Sequence, residues 1–297
     1  MSKKIMVKKY KKKQQKQKCQ QEQEHSSHQT QLLENNKRDD GALLTFGGHL
    51  EVLRQMLFRI LGAAGAVAVL VFCIKDTTWQ VLLAPSEWDF VTYRWIEGVI
   101  QQWNPDFHFE KWNVDLIATD LSSQFMSHIT MAVYLGLLGT SPYILYELFR
   151  FISPALYENE RHYSVPVVIV IYMLFIAGIL MSYYILFPIS FRFLGTYSVA
   201  AKVHSTITLD SYITTFVSLT LVMGLVFQLP VIAFACAKLG LISSDMLSNY
   251  RKNAVIVIMT VAAIITPPDI MTLVLVTIPL YLLYEVCIRV VKNIEAH

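Results

Sequence analysis

The feature that most limits how this chain can fold is a series of apolar runs between polar segments. They cover residues 57 or 60 to 74, 125–149, 163–187, 212–238, 254–265 and 270–290. Runs of about 20 apolar residues are long enough to cross the hydrocarbon core of a bilayer as helices. With 54% hydrophobic and only 16% charged residues, the chain lacks the polar surface of a water-soluble protein. We therefore predict an all-α integral membrane protein with six transmembrane helices.

The last two spans are predicted to be short. They flank the sequence Thr266-Pro267-Pro268-Asp269. A proline pair removes two amide donors and disfavours helix in the residue before it, so this sequence predicts a tight hairpin and not a continuous helix. The span before the hairpin, 254–265, is too short for a bilayer of normal thickness. We expect it to thin the membrane locally or to be shielded by its neighbours.

Charge divides the chain into a tail and a membrane domain. Residues 1–40 hold eleven Lys/Arg and five Asp/Glu, a balance of 11 − 5 = +6 within a total of +3. Because the tail contains little that could be buried, residues 1–45 are predicted to be a disordered basic Lys/Gln-rich tail near anionic lipid head groups. Nothing in it indicates a nucleic-acid partner. Residues 46–297 form the predicted membrane domain.

All five tryptophans lie in segment 75–124, which is rich in acids. Amphipathic rings at a headgroup boundary favour an exterior loop or cap on one membrane face. Lysines and arginines next to the spans are concentrated on the other side, around Arg54, Arg150, Arg161, Arg251 and Arg289. The positive-inside rule then predicts that both termini and the connector 149–162 are cytoplasmic.

Polar residues at membrane depth are costly and are therefore functional candidates. They are His128, Glu147, Gln228 and Glu285. Gln228 precedes Pro230, so its amide either satisfies a carbonyl that the proline frees in the preceding turn or bonds a helix of a partner subunit. No catalytic motif, phosphate-binding loop or metal-ligand spacing is present, so we expect no enzyme activity, no cofactor and no metal.

The connector 149–162 carries the densest ordered set of polar residues. Ser153-Pro154 is predicted to break the helix before it, and Leu156-Tyr157 to pack back on that helix. Glu158 and Glu160 lie close to the start of the third span. There they either cap the helix dipole or accept an arginine guanidinium in a two-point hydrogen bond.

Several motifs occur together and in order along residues 46–290. They are His49-Leu50-x-x-Leu53-Arg54, Ala118-Thr119-Asp120, Phe151-Ile152-x-Pro154-Ala155-Leu156-Tyr157-x-x-Glu160-Arg161, Phe187-Pro188, Phe227-Gln228-x-Pro230, Thr266-Pro267-Pro268-Asp269 and Ile278-Pro279-x-Tyr281-x-x-x-Glu285. In these motifs the chain resembles the TatC family, the multispanning receptor subunit of the twin-arginine protein translocase.

The resemblance implies a receptor in a bacterial cytoplasmic membrane. It would bind twin-arginine signal peptides of folded precursors and recruit single-span TatA/TatB-type subunits into a hetero-oligomer driven by the proton-motive force. Glu160 is implied as the acid that contacts the signal arginines. The remaining implied signal-binding residues are Glu51, Arg54, Phe151, Pro154, Leu156, Tyr157 and Arg161. Gln228 would contact a partner helix, and Asp269 and Glu285 match family positions without a defined role.

The chain departs from the family before the first span. The family pattern His-Leu-x-Glu-Leu-Arg would place an acid at Val52, but the acid here is Glu51, rotated by about 100° on a helix. The second arginine-binding carboxylate is therefore one of three acids: Glu51, if the register changes locally, Glu158 or Glu147. Segment 75–124 is also longer than usual. The alternative function is an ion-coupled secondary transporter with Gln228, Asp269 and Glu285 along its path, although no internal repeat supports it.

Overall fold

The structure is a computed structural model, and it describes residues 46–109, 111–112, 114–156, 164–198, 206–266 and 269–295. Side chains of residues 46–50, 152–156 and 164–166 are not included in that description. The chain divides into two compact units, Met1–Phe58 and Arg59–His297. The described part of the first unit is the beginning of a helix. The predicted disorder of residues 1–45 falls outside the described residues.

The described part of the second unit consists mainly of helices. With the helix that begins in the first unit, they are α1 (Phe46–Cys73), α2 (Lys75–Leu83), α3 (Val91–Gln101), α4 (Ser123–Leu156), α5 (Ser164–Met181), α6 (Phe187–Thr196), α7 (Leu209–Val226), α8 (Leu229–Lys238), α9 (Ser244–Asn249), α10 (Arg251–Ile265) and α11 (Ile270–Glu295). A 3-10 turn, Ala84–Ser86, follows α2, and a π-helical turn, Ser182–Leu186, joins α5 to α6.

Five stretches in the described part of the chain are long and apolar enough to cross a membrane. They are Glu51–Cys73, Ser123–Phe151, Val167–Thr196, Leu209–Lys238 and Ile270–Glu295. Helix α10 has 15 residues, about 22 Å at 1.5 Å per residue. That length confirms the prediction of a short apolar segment before the hairpin. Whether α10 is a sixth span stays a prediction.

The prediction that the last span is also short is wrong. Helix α11 has 26 residues and continues through Pro279 to Glu295. A proline inside a helix costs one backbone hydrogen bond, but a packed membrane helix tolerates it because its neighbours hold the helix together. The apolar run therefore underestimates the helix, which extends a further turn into the polar residues that follow Val290.

The prediction of an all-α fold needs one small correction. Strands β1 (Leu116–Ile117) and β2 (Ile207–Thr208) form a parallel pair in which Leu116 is opposite Ile207. They join the segment before α4 to the segment before α7. Thr208 then accepts a hydrogen bond from the Ser211 amide at 3.2 Å and so caps the start of α7.

The third spanning stretch contains a π-helical turn just before Pro188. Proline lacks an amide hydrogen, which leaves the carbonyl four residues earlier without its usual helical donor. That carbonyl belongs to Tyr184, and the Thr92 hydroxyl donates to it. The Tyr93 hydroxyl lies 2.8 Å from the Pro188 carbonyl oxygen. The segment containing α3 therefore contacts the third stretch where the helix is irregular.

Small residues let the helices pack closely. A Cβ added to Gly178 in α5 would lie 2.6 Å from the carbonyl oxygen of Met223 in α7. A Cβ on Gly136 in α4 would lie 2.7 Å from the Cβ of Ala68 in α1. Such contacts are typical of membrane helices, whose packing relies on close backbone approach. In the core, the Phe187 ring forms T-shaped pairs with the rings of Tyr212 and Phe216.

Candidate functional site

The predicted helix break at Ser153-Pro154 is wrong. Helix α4 runs from Ser123 to Leu156, so the first half of the predicted connector is helical. One proline removes a single intrahelical hydrogen bond, here in the final described turn, and the same helix also passes through Pro142. Phe151 is half-buried near the end of the helix. Pro154 and Leu156 belong to the helix, and their predicted binding roles stay predictions.

The central predicted acid lies outside the described residues. Residues 157–163 are not described, and they include Tyr157, Glu160 and Arg161 as well as the alternative acid Glu158. Their roles in binding therefore stay predictions from the sequence motif.

Glu51 and Arg54 form an ion pair in the first turns of α1. A nitrogen of the Arg54 guanidinium lies 3.6 Å from a Glu51 carboxylate oxygen, and both side chains are more than half exposed. The Gln55 amide donates to the other oxygen of Glu51 at 3.1 Å. Helix α1 is α-helical throughout Phe46–Cys73, and substitution of Glu51 for the family acid stays a prediction. The acid therefore stays one position away from the family pattern.

Glu147, another alternative for the second acid, is buried and already paired. Its side chain is 6% exposed, and its Oε1 accepts hydrogen bonds from Arg59 at 3.3 Å and from the Tyr143 hydroxyl at 3.0 Å. The Arg59 side chain is 48% exposed. This arrangement neutralises the carboxylate within the chain and links α1 to α4. Glu147 is visible in the sequence as an acid at membrane depth, whereas its partner Arg59 is not.

Gln228 lies at the break between α7 and α8. Its Nε2 donates to the carbonyl of Ile171 in α5 at 3.1 Å. One of the two alternatives for this amide, a contact with the Val226 carbonyl that Pro230 frees, is not among its described hydrogen bonds. The amide instead joins two helices of the same chain. Contact of Gln228 with a partner subunit stays a prediction.

Asp269 caps helix α11. Its Oδ1 accepts from the amide of Thr272 at 2.7 Å, and its other oxygen accepts from the Thr272 hydroxyl. This is the bonding of an N-cap residue, which satisfies an amide that has no partner within the helix. The capping accounts for an acid after the proline pair.

Glu285 binds Arg251 across two helices. The Arg251 Nε lies 2.9 Å from Glu285 Oε1, and its terminal nitrogen donates to Oε2 at 3.1 Å. The Tyr281 hydroxyl, one turn earlier on α11, also donates to Oε1 at 3.2 Å. The two-point pair joins the start of α10 to α11 and compensates a charge within an apolar helix. Only the acid, and not its partner, was foreseen from the sequence.

These polar groups do not form one catalytic or coordinating centre. Gln228, Asp269 and Glu285 are each engaged in a separate contact, in different parts of the fold. Within the part of the chain that the structure describes, no group of three His, Cys, Asp or Glu side chains could hold a metal ion. The fold defines a multispanning helical membrane protein whose polar residues join helices and cap their ends.

The chain belongs to the TatC family. The family model described as "Sec-independent protein translocase protein (TatC)" matches residues 48–279. The family is a non-enzymatic component of a protein translocase. A TatC from Blattabacterium sp. subsp. Periplaneta americana is 30% identical over 262 residues, which cover 87% of this chain and 97% of that protein. TatCy from Bacillus subtilis is 38% identical over 177 residues, covering 60% of this chain and 70% of the relative.

A solved structure has the same fold. The crystal structure of a protein described as "Twin Arginine Translocase Receptor- TatC" matches with a TM-score of 0.65 and 28% sequence identity. The match covers 82% of this chain and 98% of the solved chain. Family and fold therefore agree over most of the membrane domain.

Proposed function

We propose that this chain is the receptor subunit of a twin-arginine translocase. It binds the twin-arginine signal peptides of folded precursor proteins at the cytoplasmic face of a bacterial cytoplasmic membrane. The likeness to the solved twin-arginine translocase receptor over 82% of the chain carries the proposal. The matched family range, 48–279, includes both predicted signal-binding segments, the start of α1 and the connector 149–162. Six spans with both termini in the cytoplasm are part of this proposal.

Glu160 is the proposed principal acceptor for the signal arginines. A carboxylate accepts both parallel N–H groups of a guanidinium, and such bonds are stronger than neutral hydrogen bonds. Phe151, Pro154, Leu156 and Tyr157 would form the apolar border of this acceptor, with Arg161 beside it.

Glu51 is a better candidate than Glu147 for the second acceptor. The Glu51 side chain is 51% exposed, so a ligand guanidinium reaches it by competing with one exposed Arg54 pair. Exposed ion pairs are weak, typically below about 1 kcal/mol. Glu147 is only 6% exposed and holds both Arg59 and Tyr143. Glu158 remains the third candidate.

The partners are single-span TatA/TatB-type subunits that assemble with this chain in the lipid bilayer. Gln228 is the proposed polar contact, because its side chain is only half-buried and its Nε2, which binds Ile171 within the chain, carries a second hydrogen that can donate. The proton-motive force supplies the energy in this proposal. A small-solute transporter is not favoured, because Asp269 caps a helix and Glu285 is held by Arg251.

The test is photo-crosslinking of a synthetic twin-arginine signal peptide to the full-length chain in membrane vesicles. Glu160→Gln keeps the shape of the side chain and removes its charge. Loss of a charge-assisted pair worth about 2 kcal/mol lowers the affinity about 30-fold. A twin-lysine peptide is the matched ligand control, since lysine lacks the two-point geometry.

The acids are compared in the same assay. Glu51→Gln is expected to weaken binding further when combined with Glu160→Gln, whereas Glu147→Gln leaves binding unchanged within about twofold. Correct membrane insertion of every variant is confirmed by protease protection. Equal crosslinking of the twin-arginine and twin-lysine peptides to the unmodified chain would refute the proposed function.

A further inference from the structure

Helix α3 presents an apolar stripe outward. Its exposed residues recur at the spacing of one helix face, with Val91, Trp95 and Val99 along the middle and Arg94 at the margin. Trp95 is 70% exposed, Val91 is 62% exposed, and Trp103 just beyond the helix is 90% exposed. For a helix surrounded by water the exposed face would be the polar one. In α3 it is mostly apolar.

Two polar side chains of α3 lie on another face of the helix and are partly covered. Glu97 and Gln101 are half-buried, and both contact His108: Glu97 Oε1 lies 2.8 Å from the His108 Nδ1. Gln101 also donates to the carbonyl of Phe107 at 3.0 Å. The polar groups on this side are thus satisfied by the loop that follows the helix. The apolar stripe faces away from that loop.

Counted from Val167, the start of α3 lies close to where a bilayer core would end. The Phe90 ring stacks on Tyr184 with centroids 5.9 Å apart, and Thr92 donates to the Tyr184 carbonyl. Tyr184 is 184 − 167 = 17 residues after the first residue of its spanning stretch, about 26 Å along a helix. A hydrocarbon core is about 30 Å thick. Tyr184 is itself 41% exposed, and Leu180 on the same stretch is 48% exposed, so the stripe of α3 adjoins a surface that faces lipid.

We propose that α3 is an interfacial helix, with Val91, Trp95 and Val99 inserted among the acyl chains of the leaflet nearest to it. Trp103 anchors the end of the helix at the headgroup level, as amphipathic aromatic rings do. Arg94, held by Asp89, reaches from the margin of the stripe to the headgroups. The ligand is the lipid surface itself. The segment thereby fixes the depth of the cap on the membrane independently of any signal peptide.

Tryptophan fluorescence tests this proposal, because all five tryptophans lie in this one segment. The full chain is reconstituted alone into vesicles of phosphatidylcholine and phosphatidylglycerol, in variants that keep one tryptophan and carry phenylalanine at the other four positions. Trp95 is compared with Trp79, which packs against the buried core. Lipids brominated near the headgroup probe contact with the bilayer, and acrylamide probes contact with water. Circular dichroism checks that each variant is folded.

An interfacial helix predicts that brominated lipid reduces Trp95 emission about threefold more than Trp79 emission, and that acrylamide quenches Trp95 several-fold less than free tryptophanamide. Acrylamide quenching close to that of tryptophanamide, with no greater bromolipid effect than at Trp79, overturns the proposal. The same holds if Trp95 becomes shielded only when a single-span partner is added, because the stripe is then a protein contact. If the single-tryptophan chains do not fold, Trp95→Phe is introduced into the otherwise unmodified chain. A decrease in the emission that bromolipid quenches supports the proposal, and an unchanged value overturns it.

Discussion

The ion pair between Arg59 and Glu147 predicts unequal effects of removing its two members. Glu147 is 6% exposed, whereas the Arg59 side chain is 48% exposed. Arg59→Met removes the ion-pair partner of a buried carboxylate that still accepts from the Tyr143 hydroxyl at 3.0 Å, and uncompensated buried charges cost about 3 kcal/mol. Glu147→Gln leaves an arginine that reaches solvent along its aliphatic stem, at a cost of about 1 kcal/mol.

The double variant separates the pair from the packing of each side chain. The variant with both Arg59→Met and Glu147→Gln leaves no charge buried. Its free energy of unfolding should therefore fall by about 1 kcal/mol, less than with Arg59→Met alone. The coupling free energy is then about 3 kcal/mol, within the range of residues that share a network. The four proteins are compared by unfolding in mixed micelles with increasing dodecyl sulfate, followed by circular dichroism.

The order of the two single variants is the critical result. If Glu147→Gln destabilises the chain as much as Arg59→Met, the difference in burial does not determine the cost. If the double variant is the sum of the single ones, the two side chains do not interact. Lys252→Met is the control, because Lys252 is an exposed basic residue on a different helix, α10.

Three further predictions follow from other contacts. Gly178→Ala should destabilise the chain by at least about 1 kcal/mol, because the added Cβ would lie 2.6 Å from the Met223 carbonyl oxygen. Gly62→Ala is the control in the same unfolding assay, because a Cβ at Gly62 would meet open space. Asp269→Ala should cost about 1 kcal/mol through loss of the cap on α11, and Asp269→Asn much less; equal costs would contradict a capping role. Burial raises the pKa of Tyr93, so stability that is present below about pH 10 is lost as the pH rises further. Tyr93→Phe should reduce this alkaline loss, measured as the unfolding midpoint between pH 8 and pH 11.

The sequence was sufficient for the family and for most of the helical segments. Apolar runs and the joint order of the motifs identify both, because long membrane helices depend on local composition. Their ends were less predictable. Helix α4 continues through Pro154, since one proline removes a single hydrogen bond, and α11 extends beyond the apolar run to Glu295.

Partners of the polar residues could not be read from the sequence. Glu147 and Glu285 are visible as acids in apolar runs, but Arg59 is 88 positions from Glu147 and Arg251 is 34 from Glu285. Such pairs depend on which helices are adjacent and on their rotation. The cap by Asp269 is a local contact within three residues, so the sequence could have indicated it, although no role was predicted for this residue. The short strand pair β1–β2 was missed because two residues in each strand give no periodic pattern.

Four hydroxyl groups join the segment between α1 and α4 to the spanning helices, and each donates to a backbone carbonyl. Thr92 and Tyr93 donate to the carbonyls of Tyr184 and Pro188, while Tyr183 and Tyr212 donate to those of Val81 and Leu82. Every residue has a backbone carbonyl that can accept, so these hydrogen bonds restrict the residue type only at the donor position. In a saturation library, many replacements should be tolerated at Val81, whose carbonyl accepts, but few at Tyr183, whose hydroxyl donates to it. Searches for covarying residue pairs would therefore overlook these hydrogen bonds, although they hold the segment between α1 and α4 against the spanning helices.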